Sequence, residues 1–415
     1  MAFVKNKRLY VLTDNKQGYE QFLTVLNEEF LTADRSNIFS YKGYCRAISS
    51  PVSHKVTRVF LLNNDETIRS DISEFLIGGK ISINQNSGIR KSGNISLYNY
   101  NNMFTPNVVN GILWEGHKIR IDTGIYFNKN VYWFQNGIFV LHDPSENHED
   151  HSVSCSIYDK FAMLDGTVSG KRDSEFKIPV GTPIKTAIML CLNPDNNTDL
   201  AYDSKTVIFP SKYIDQTTPY TITKDPNCTM GEIIVELAKM ISCDAFYNES
   251  GNLVIYPDSD NVEIETSPIQ WVYKKEDSLT GKPSMDYSFA NIAKRVTVFG
   301  AIENGYQYKG VFENTNPITK DYTRNLYFVS DDNIIGDQLC LDRAKYEYKK
   351  NCRLNIQLKF QSVYIPHLLP NDVVLWSSED LNFNNDKFII NSIEFDLVNE
   401  GMSNLSLTYL EGMKI

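Results

Sequence analysis

The densest group of side chains able to do chemistry is His148-Glu149-Asp150-His151. Two imidazoles and two carboxylates are the ligand types of a zinc centre, which needs three or four of them at fixed geometry. These histidines stand three apart in a stretch rich in Pro, Asn and Asp, with no helical pattern to aim them, so the segment reads as a solvated loop. Asp258, Asp260 and Glu263 form a second acidic run after Pro257, without the glycine and closing glutamate of a calcium loop. Paired carboxylates for sugar hydrolysis stand about 5–10 Å apart in a cleft, but 51 acidic residues supply such pairs by chance alone. A glycine-rich phosphate loop, a G-x-S-x-G elbow, an H-E-x-x-H helix and a Cys-His signature are all missing. Seven scattered cysteines (Cys45, Cys155, Cys191, Cys228, Cys243, Cys340 and Cys352) form no C-x-x-C, which argues for buried free thiols over a disulfide framework. The expectation is a chain with no catalytic residue, no metal ligand and no cofactor site: not an enzyme.

Basic residues give little more. Arg90-Lys91 beside Gly88 is one cationic pair, too little counterion release for nucleic-acid binding, and reads as a turn with exposed basic side chains. Lys345, Lys349, Lys350 and Arg353, interleaved with Tyr346 and Tyr348, read as the outer face of a helix rather than a groove for a single strand. His367, inside Pro366-His367-Leu368-Leu369-Pro370, reads as a surface turn residue at a corner fixed by two prolines.

The elements that would carry these residues are mostly strands. Between Ile81 and Leu141, Ile81 and Ile83, then Ile95 and Leu97, alternate with polar residues, and Trp114, Ile119, Ile121, Trp133, Phe134 and Ile138 through Leu141 continue the theme. A period of two is the mark of a half-buried antiparallel sheet. Further strands are expected at 56–62, 152–158, 295–300, 354–360, 373–376, 388–395 and 405–410, with a hairpin at 245–256. Gly78-Gly79 reads as a break before the Ile81 strand, and 99–110 and 143–150 read as polar loops. Helices are expected after Asp14 (Tyr19, Phe22, Leu23, Leu26 and Phe30 on one face, packing on a sheet or on a neighbouring subunit), after Thr182-Pro183, after Thr229 with Glu232 closing a capping box, and over about 337–349.

With 415 residues the chain is long enough for two to four domains. The expected division is an N-terminal helical or extended segment (1–55), a first β domain (56–165), a mixed α/β connector (166–285) and a second β domain (286–415), with sheets that non-contiguous segments can complete. The 24 Tyr and 22 Phe favour pleated surfaces. A net charge of −10 disfavours general nucleic-acid binding. No apolar run reaches the roughly 18 residues of a membrane span, and the basic start lacks the apolar core of a signal peptide, so synthesis in a cytoplasm is expected.

The order of the segments resembles the tail hub (baseplate hub) proteins of long-tailed bacteriophages and contractile injection systems. The resemblance rests on Gly88-Ile89-Arg90-Lys91-Ser92, Trp114-Glu115-Gly116-His117-Lys118-Ile119, Trp133 through Phe139, and Tyr158-Asp159-Lys160-Phe161 through Gly166. It continues through Gly251-Asn252-Leu253, Asn291 through Gly300, and Pro366 through Val374 with Asn371-Asp372. It implies a mainly β fold with α+β insertions: two tail-tube-like antiparallel β-barrel domains joined by the mixed connector. It further implies a structural virion protein that assembles as a homotrimeric ring, joins a tail tube or distal tail protein to a spike or tip protein, meets a tape measure protein, and lines a channel through which DNA passes without specific binding. On that reading Arg90-Lys91 contact a neighbouring subunit or the tube, no part is inserted stably in a membrane, and the acidity keeps passing DNA from sticking. Two other classes stay open at this stage: a host-surface carbohydrate-binding tail module and a tail-associated cell-wall hydrolase.

Overall fold

The computed structural model describes residues 55–105, 116–127, 130–195, 202–257, 267–274, 283–288, 293–313, 326–332, 334–351, 355–378, 383–398 and 401–409. The expected helix after Asp14, Trp114, the acidic run from Asp258 to Glu263, Arg353, Cys45 and Cys352 lie outside them.

The first seven strands are β1 (Lys55–Leu62), β2 (Ile68–Asp71), β3 (Leu76–Asn84), β4 (Lys91–Tyr98), β5 (Lys118–Phe127), β6 (Asn130–Asn147) and β7 (Ser152–Asp159). They pair antiparallel in the order β3-β4-β7-β6-β5-β1-β2. Alternation sets the faces: Ile81, Ile83, Ile95, Leu97, Ile119, Ile121, Phe139 and Leu141 enter the main core. Ile138 points the other way, to Phe60 and Leu62, which is why β6 carries an unbroken apolar run: both of its faces are covered. Two expected loops are strand instead. Gly78-Gly79 lie inside β3, at an irregularity where β4 comes so close that a Cβ on Gly79 would meet the Asn94 carbonyl oxygen at 2.5 Å. Residues 143–147 continue β6 past an irregularity between His142 and Ser145, with Asp143 at φ 48°.

The connector follows. β8 (Phe176–Ile178) pairs with β9 (Ile222–Lys224), and β10 (Cys243–Tyr247) with β11 (Leu253–Pro257). Helices α1 (Ile184–Leu192) and α2 (Met230–Met240) pack their apolar faces into one core with these strands. Thr182 does not cap α1. Pro183 is held extended by a bridge to Thr217, the Ile184 N–H donates to the Gln216 carbonyl, and the Thr182 hydroxyl turns back to the Pro179 carbonyl. The Thr229–Glu232 capping box of α2 forms in both directions, each bond 3.2 Å. Thr229→Ala is expected to cost about 1 kcal/mol, read as a lower urea midpoint with unchanged slope; an unchanged midpoint would mean that the cap is redundant.

Strands β12 (Ile269–Lys274) and β13 (Ser284–Ser288) come next. A small module inside the C-terminal region then places β14 (Arg295–Glu303) between β15 (Tyr306–Glu313) and β16 (Leu326–Ser330), with α3 (Asp337–Asn351) over one face. The remaining strands are β17 (Asn355–Val363), β18 (Val373–Ser378), β19 (Phe383–Asp396) and β20 (Met402–Tyr409). They extend the first sheet rather than starting another: the order continues β13-β17-β20-β19-β3. Residues Lys80 to Asn84 of β3 pair with Ser392 to Asp396 of β19. The first half of β19 pairs instead with β18, which carries β12 alongside it in parallel. An irregularity between Ile390 and Ser392 marks where the partner changes.

The molecule is thus mainly β, with antiparallel sheets dominant. The described residues contain no closed barrel. The N-terminal strands curl until Leu397, just past β19, bridges their two ends, its N–H donating to Gly79 O at 2.8 Å and its carbonyl accepting from Thr57 Oγ1 at 2.6 Å. The sheet stays open because β3 spends its free edge on β19 instead of on β1. One core serves both β regions, from Val59 and Ile81 to Trp376, Phe395 and Leu407.

Candidate functional site

Asp159 ends β7 buried, 1 % exposed. One carboxylate oxygen accepts the N–H groups of Arg90 (2.8 Å) and Lys91 (2.9 Å), and the other accepts that of Phe161 (2.9 Å). The next residue, Lys160, is as deeply buried. Its ammonium lies 2.5 Å from Glu66 Oε1 and 2.8 Å from Asp203 Oδ2, and donates to the Gly251 carbonyl at 3.0 Å. Glu66 also pairs with Lys118 at 3.1 Å and with Lys205, and Lys205 donates to the Ser250 carbonyl. Beside them Lys91 pairs with Glu249 at 3.0 Å. The Arg90 guanidinium stacks 3.4 Å from the Phe246 ring, 3.8 Å from Asp244. Backbone bonds complete the seam, from Gly88 N to Ala245 O (2.8 Å) and from Gln135 Nε2 to Glu249 O (2.7 Å).

These groups come from two bodies. Glu66, Arg90, Lys91, Lys118, Asp159 and Lys160 belong to the N-terminal sheet, and Asp203, Lys205, Asp244, Glu249 and Gly251 to the connector. The β10–β11 hairpin is therefore bolted to the outer face of the wall. Its turn fits only as glycine: Gly251 has φ 73°, and a Cβ there would lie 2.7 Å from Ile138 Cδ1. Cation and anion alternate through the seam, the arrangement in which buried charges are tolerated. It fixes an orientation and offers no reactive group to a substrate.

Burial pushes the Asp159 carboxyl up to about 6, against the opposing pull of its N–H donors and of Lys91. Burial also pushes Glu66 up, but the charge and hydrogen bond of Lys160, with Lys205 and Lys118, more than reverse it and hold Glu66 below the ordinary carboxylate value. Burial, reinforced by Asp203, raises the Tyr247 hydroxyl far above its ordinary range.

The two carboxyls act oppositely on stability. Between about pH 4 and 6 the folded chain keeps a proton on Asp159 that the unfolded chain has released, so this group's contribution falls as pH rises through that window, by about 3 kcal/mol. Glu66 contributes above its unfolded value of 4.5 and loses that contribution as pH falls through its lower folded value. Urea midpoints against pH are expected to lose the pH 4–6 decline in Asp159→Asn and the acid limb in Glu66→Gln. Curves for both variants that merely run parallel to the parent would refute the assignment.

Sequence reasoning placed Arg90 and Lys91 on an exposed turn; both are buried, their charges met within the chain. His367 was expected at the surface but is buried, 5.7 Å from the Trp271 ring, with Nε2 3.4 Å from the Gln270 carbonyl. His148 to His151 occupy the exposed β6–β7 turn, His148 3.7 Å from Glu146. Among the described residues no group of three or more His, Cys, Asp or Glu is placed to hold a metal. Lys345 lies on the outer face of α3 beside Asp342, while Tyr348 turns inward against Phe312. The cysteines at 155, 191, 243 and 340 are buried free thiols, and Cys228 is half-buried. Lys160 was missed as a site residue, though a lysine between Asp159 and Phe161-Ala162 at a strand end is a local signal for a buried cation. Glu66, Asp203 and Glu249 give none, since acidic residues are ordinary in turns.

Residues 318–412 match a family described as "Domain of unknown function (DUF5048)". No curated protein matches. Among solved structures, the 43 kDa tail protein of prophage MuSo2 from Shewanella oneidensis superposes with a TM-score of 0.59 at 12 % identity, over 87 % of this chain and 100 % of that one. A tail protein from Neisseria meningitidis MC58 gives 0.58 at 10 %, over 87 % and 98 %. Prophage tail protein gp18 from Listeria monocytogenes EGD-e gives 0.52 at 12 %, over 86 % and 95 %. The chain has the fold of phage tail proteins, and the resemblance read from the ordered motifs is borne out. Among the described residues no helix is long and apolar enough to cross a membrane.

Proposed function

We propose that this chain is a structural, non-enzymatic component of a phage-type tail: a hub that assembles as a homotrimeric ring. In this reading the two β regions, 56–165 and 286–415, act as two tube-like units per subunit, joined by the 166–285 connector and preceded by the 1–55 segment, with β3 and β19 completing one another's sheet. Three subunits then present six walls, matching a sixfold tube or distal tail protein on one side and a threefold spike or tip protein on the other. The tape measure protein and then DNA pass through the lumen, where polar and acidic side chains hold neither.

The observation that carries this reading is the sheet that runs from one β region into the other and, among the described residues, ends in strands with an unpaired edge, β2 at one end and β13 at the other. Exposed edges of this kind invite pairing with another chain, and closed rings of identical subunits remove them. The likeness to tail proteins over most of the chain supports the same conclusion. The ionic seam suits a part that transmits load, because it locks connector to wall.

Native mass spectrometry of the purified chain, alone and with its neighbouring tail gene products, is expected to give a trimer of 47.5 kDa subunits, and electron microscopy a ring with an acidic lumen. A persistent monomer that also ignores those products would sink the proposal.

A further inference from the structure

Asn-Gly occurs in the chain at Asn110-Gly111, Asn136-Gly137 and Asn304-Gly305. The first pair lies outside the described residues, and the other two stand in opposite surroundings. The dipeptide carries a latent reaction. Glycine has no Cβ to shield its backbone nitrogen, and that nitrogen is one small ring closure away from the asparagine side-chain carbonyl carbon. Asn136 cannot use it. It is buried inside β6, with Ile121 opposite Gly137 in the ladder. Its Nδ2 donates to Thr123 Oγ1 at 3.1 Å, and its Oδ1 accepts from the Tyr364 hydroxyl at 3.1 Å. Both ends of the amide are held, and the glycine nitrogen would reach it only if the strand left the sheet.

Asn304 and Gly305 are the central residues of the turn joining β14 to β15, where Glu303 pairs with Tyr306. φ is 50° at Asn304 and 82° at Gly305, the pattern of the type I′ hairpin that this dipeptide favours. Both residues are exposed. Among the described residues no group takes the Gly305 N–H, and a Cβ built on Gly305 would meet nothing within 4 Å. We propose that Asn304 is a site of spontaneous deamidation. The Gly305 nitrogen, giving up its proton, attacks Asn304 Cγ. The new C–N bond closes a cyclic imide, and the side-chain nitrogen leaves as ammonia, carrying that proton away. Water then opens the imide at either carbonyl, leaving aspartate or isoaspartate; no oxidant is needed. Ring closure turns Asn304 out of its left-handed conformation, a motion that a two-residue tip makes by fraying and β6 does not. Isoaspartate puts an extra methylene into the main chain, so the tight turn loses its fit. The hold on α3 loosens with it. At the first residue of that helix Asp337 Oδ2 accepts from the Tyr306 hydroxyl at 2.8 Å, and Oδ1 from the Lys309 N–H at 2.9 Å. The turn is therefore a slow chemical release for that end of the module, independent of the hub reading.

The test incubates the full-length chain at mildly alkaline and at mildly acidic pH and maps its peptides by mass spectrometry, with isoaspartate read from its fragmentation. Conversion is expected at Asn304, faster at the alkaline pH because the attacking nitrogen must lose its proton, and about a hundredfold slower at Asn136. Amide exchange over residues 306–309 and 337–340 should quicken about tenfold in the aged protein. It should stay unchanged in equally aged Asn304→Gly, which keeps the turn without the reactive side chain. No conversion at 304, or equal rates at 136 and 304, would overturn the site. Unchanged exchange in the aged parent, or quickened exchange in the glycine variant, would overturn the release.

Discussion

Lys160→Met is expected to destabilise the protein by about 3–5 kcal/mol, among the largest effects any single substitution should have here. The methionine fills nearly the same volume, so the loss is electrostatic. Glu66 and Asp203 would keep their negative charges inside the seam after losing the ammonium that lies 2.5 and 2.8 Å from them, and the Gly251 carbonyl would lose its donor. The ammonium groups of Lys118 and Lys205 pair with Glu66, whereas Asp203 has the Lys160 ammonium as its ion pair and accepts from Lys205 only the backbone N–H, at 3.0 Å. The loss should therefore be partly recovered by Asp203→Asn in the Lys160→Met background, although Asp203→Asn alone should destabilise the parent. Urea midpoints of the four proteins measure that coupling. If the double variant is as unstable as the sum of the singles, the ammonium is not what neutralises Asp203. Hydrogen exchange adds a spatial check, because the β10–β11 hairpin should open before the main core does.

Trp376→Ala is the second large effect, at about 3–5 kcal/mol. Trp376 is fully buried, with its ring 4.6 Å from Phe360 and 6.4 Å from Tyr273. Tyr273 in turn lies 5.0 Å from Phe360, so three rings from β12, β17 and β18 pack together. Among the described residues β12 pairs with no strand but β18, and this aromatic packing, with the His367 contacts to Gln270 and Trp271, anchors it further. Truncating Trp376 should therefore do more than lower global stability: exchange protection over 269–274 should fall first. Uniform loss across the sheet would contradict that. Trp376→Phe, which keeps an aromatic ring, should recover much of the loss.

The strands were legible where one face is buried and the other wet, because alternation then appears directly in the sequence: Ile81, Ile83, Ile95 and Leu97 all enter the core as read. The capping box of α2 was legible because it depends on two residues three apart. The continuity of the sheet was not, because the pairing of Lys80–Asn84 with Ser392–Asp396 leaves no local trace in either strand. The sequence division into consecutive regions allowed for sheets completed from elsewhere without saying where. The seam was half visible. Three of its pieces, around Arg90, Asp159 and Gly251, stood in the motifs that carried the family resemblance, but nothing in them says that they meet. Arg90 and Lys91 looked like surface charges because their partners, Asp244 and Glu249, lie about 150 residues downstream.

The joining of β3 to β19 also bears on how the protein is made. Ile81 pairs with Phe395, so β3 leaves the ribosome more than 300 residues before its partner. At about 5–20 residues per second, the nascent chain carries a bare strand edge for about 15–60 s, within reach of other nascent chains on the same message. Expression of fragments that stop before residue 383 should then yield insoluble protein, and supplying the missing C-terminal strands as a separate polypeptide should restore solubility.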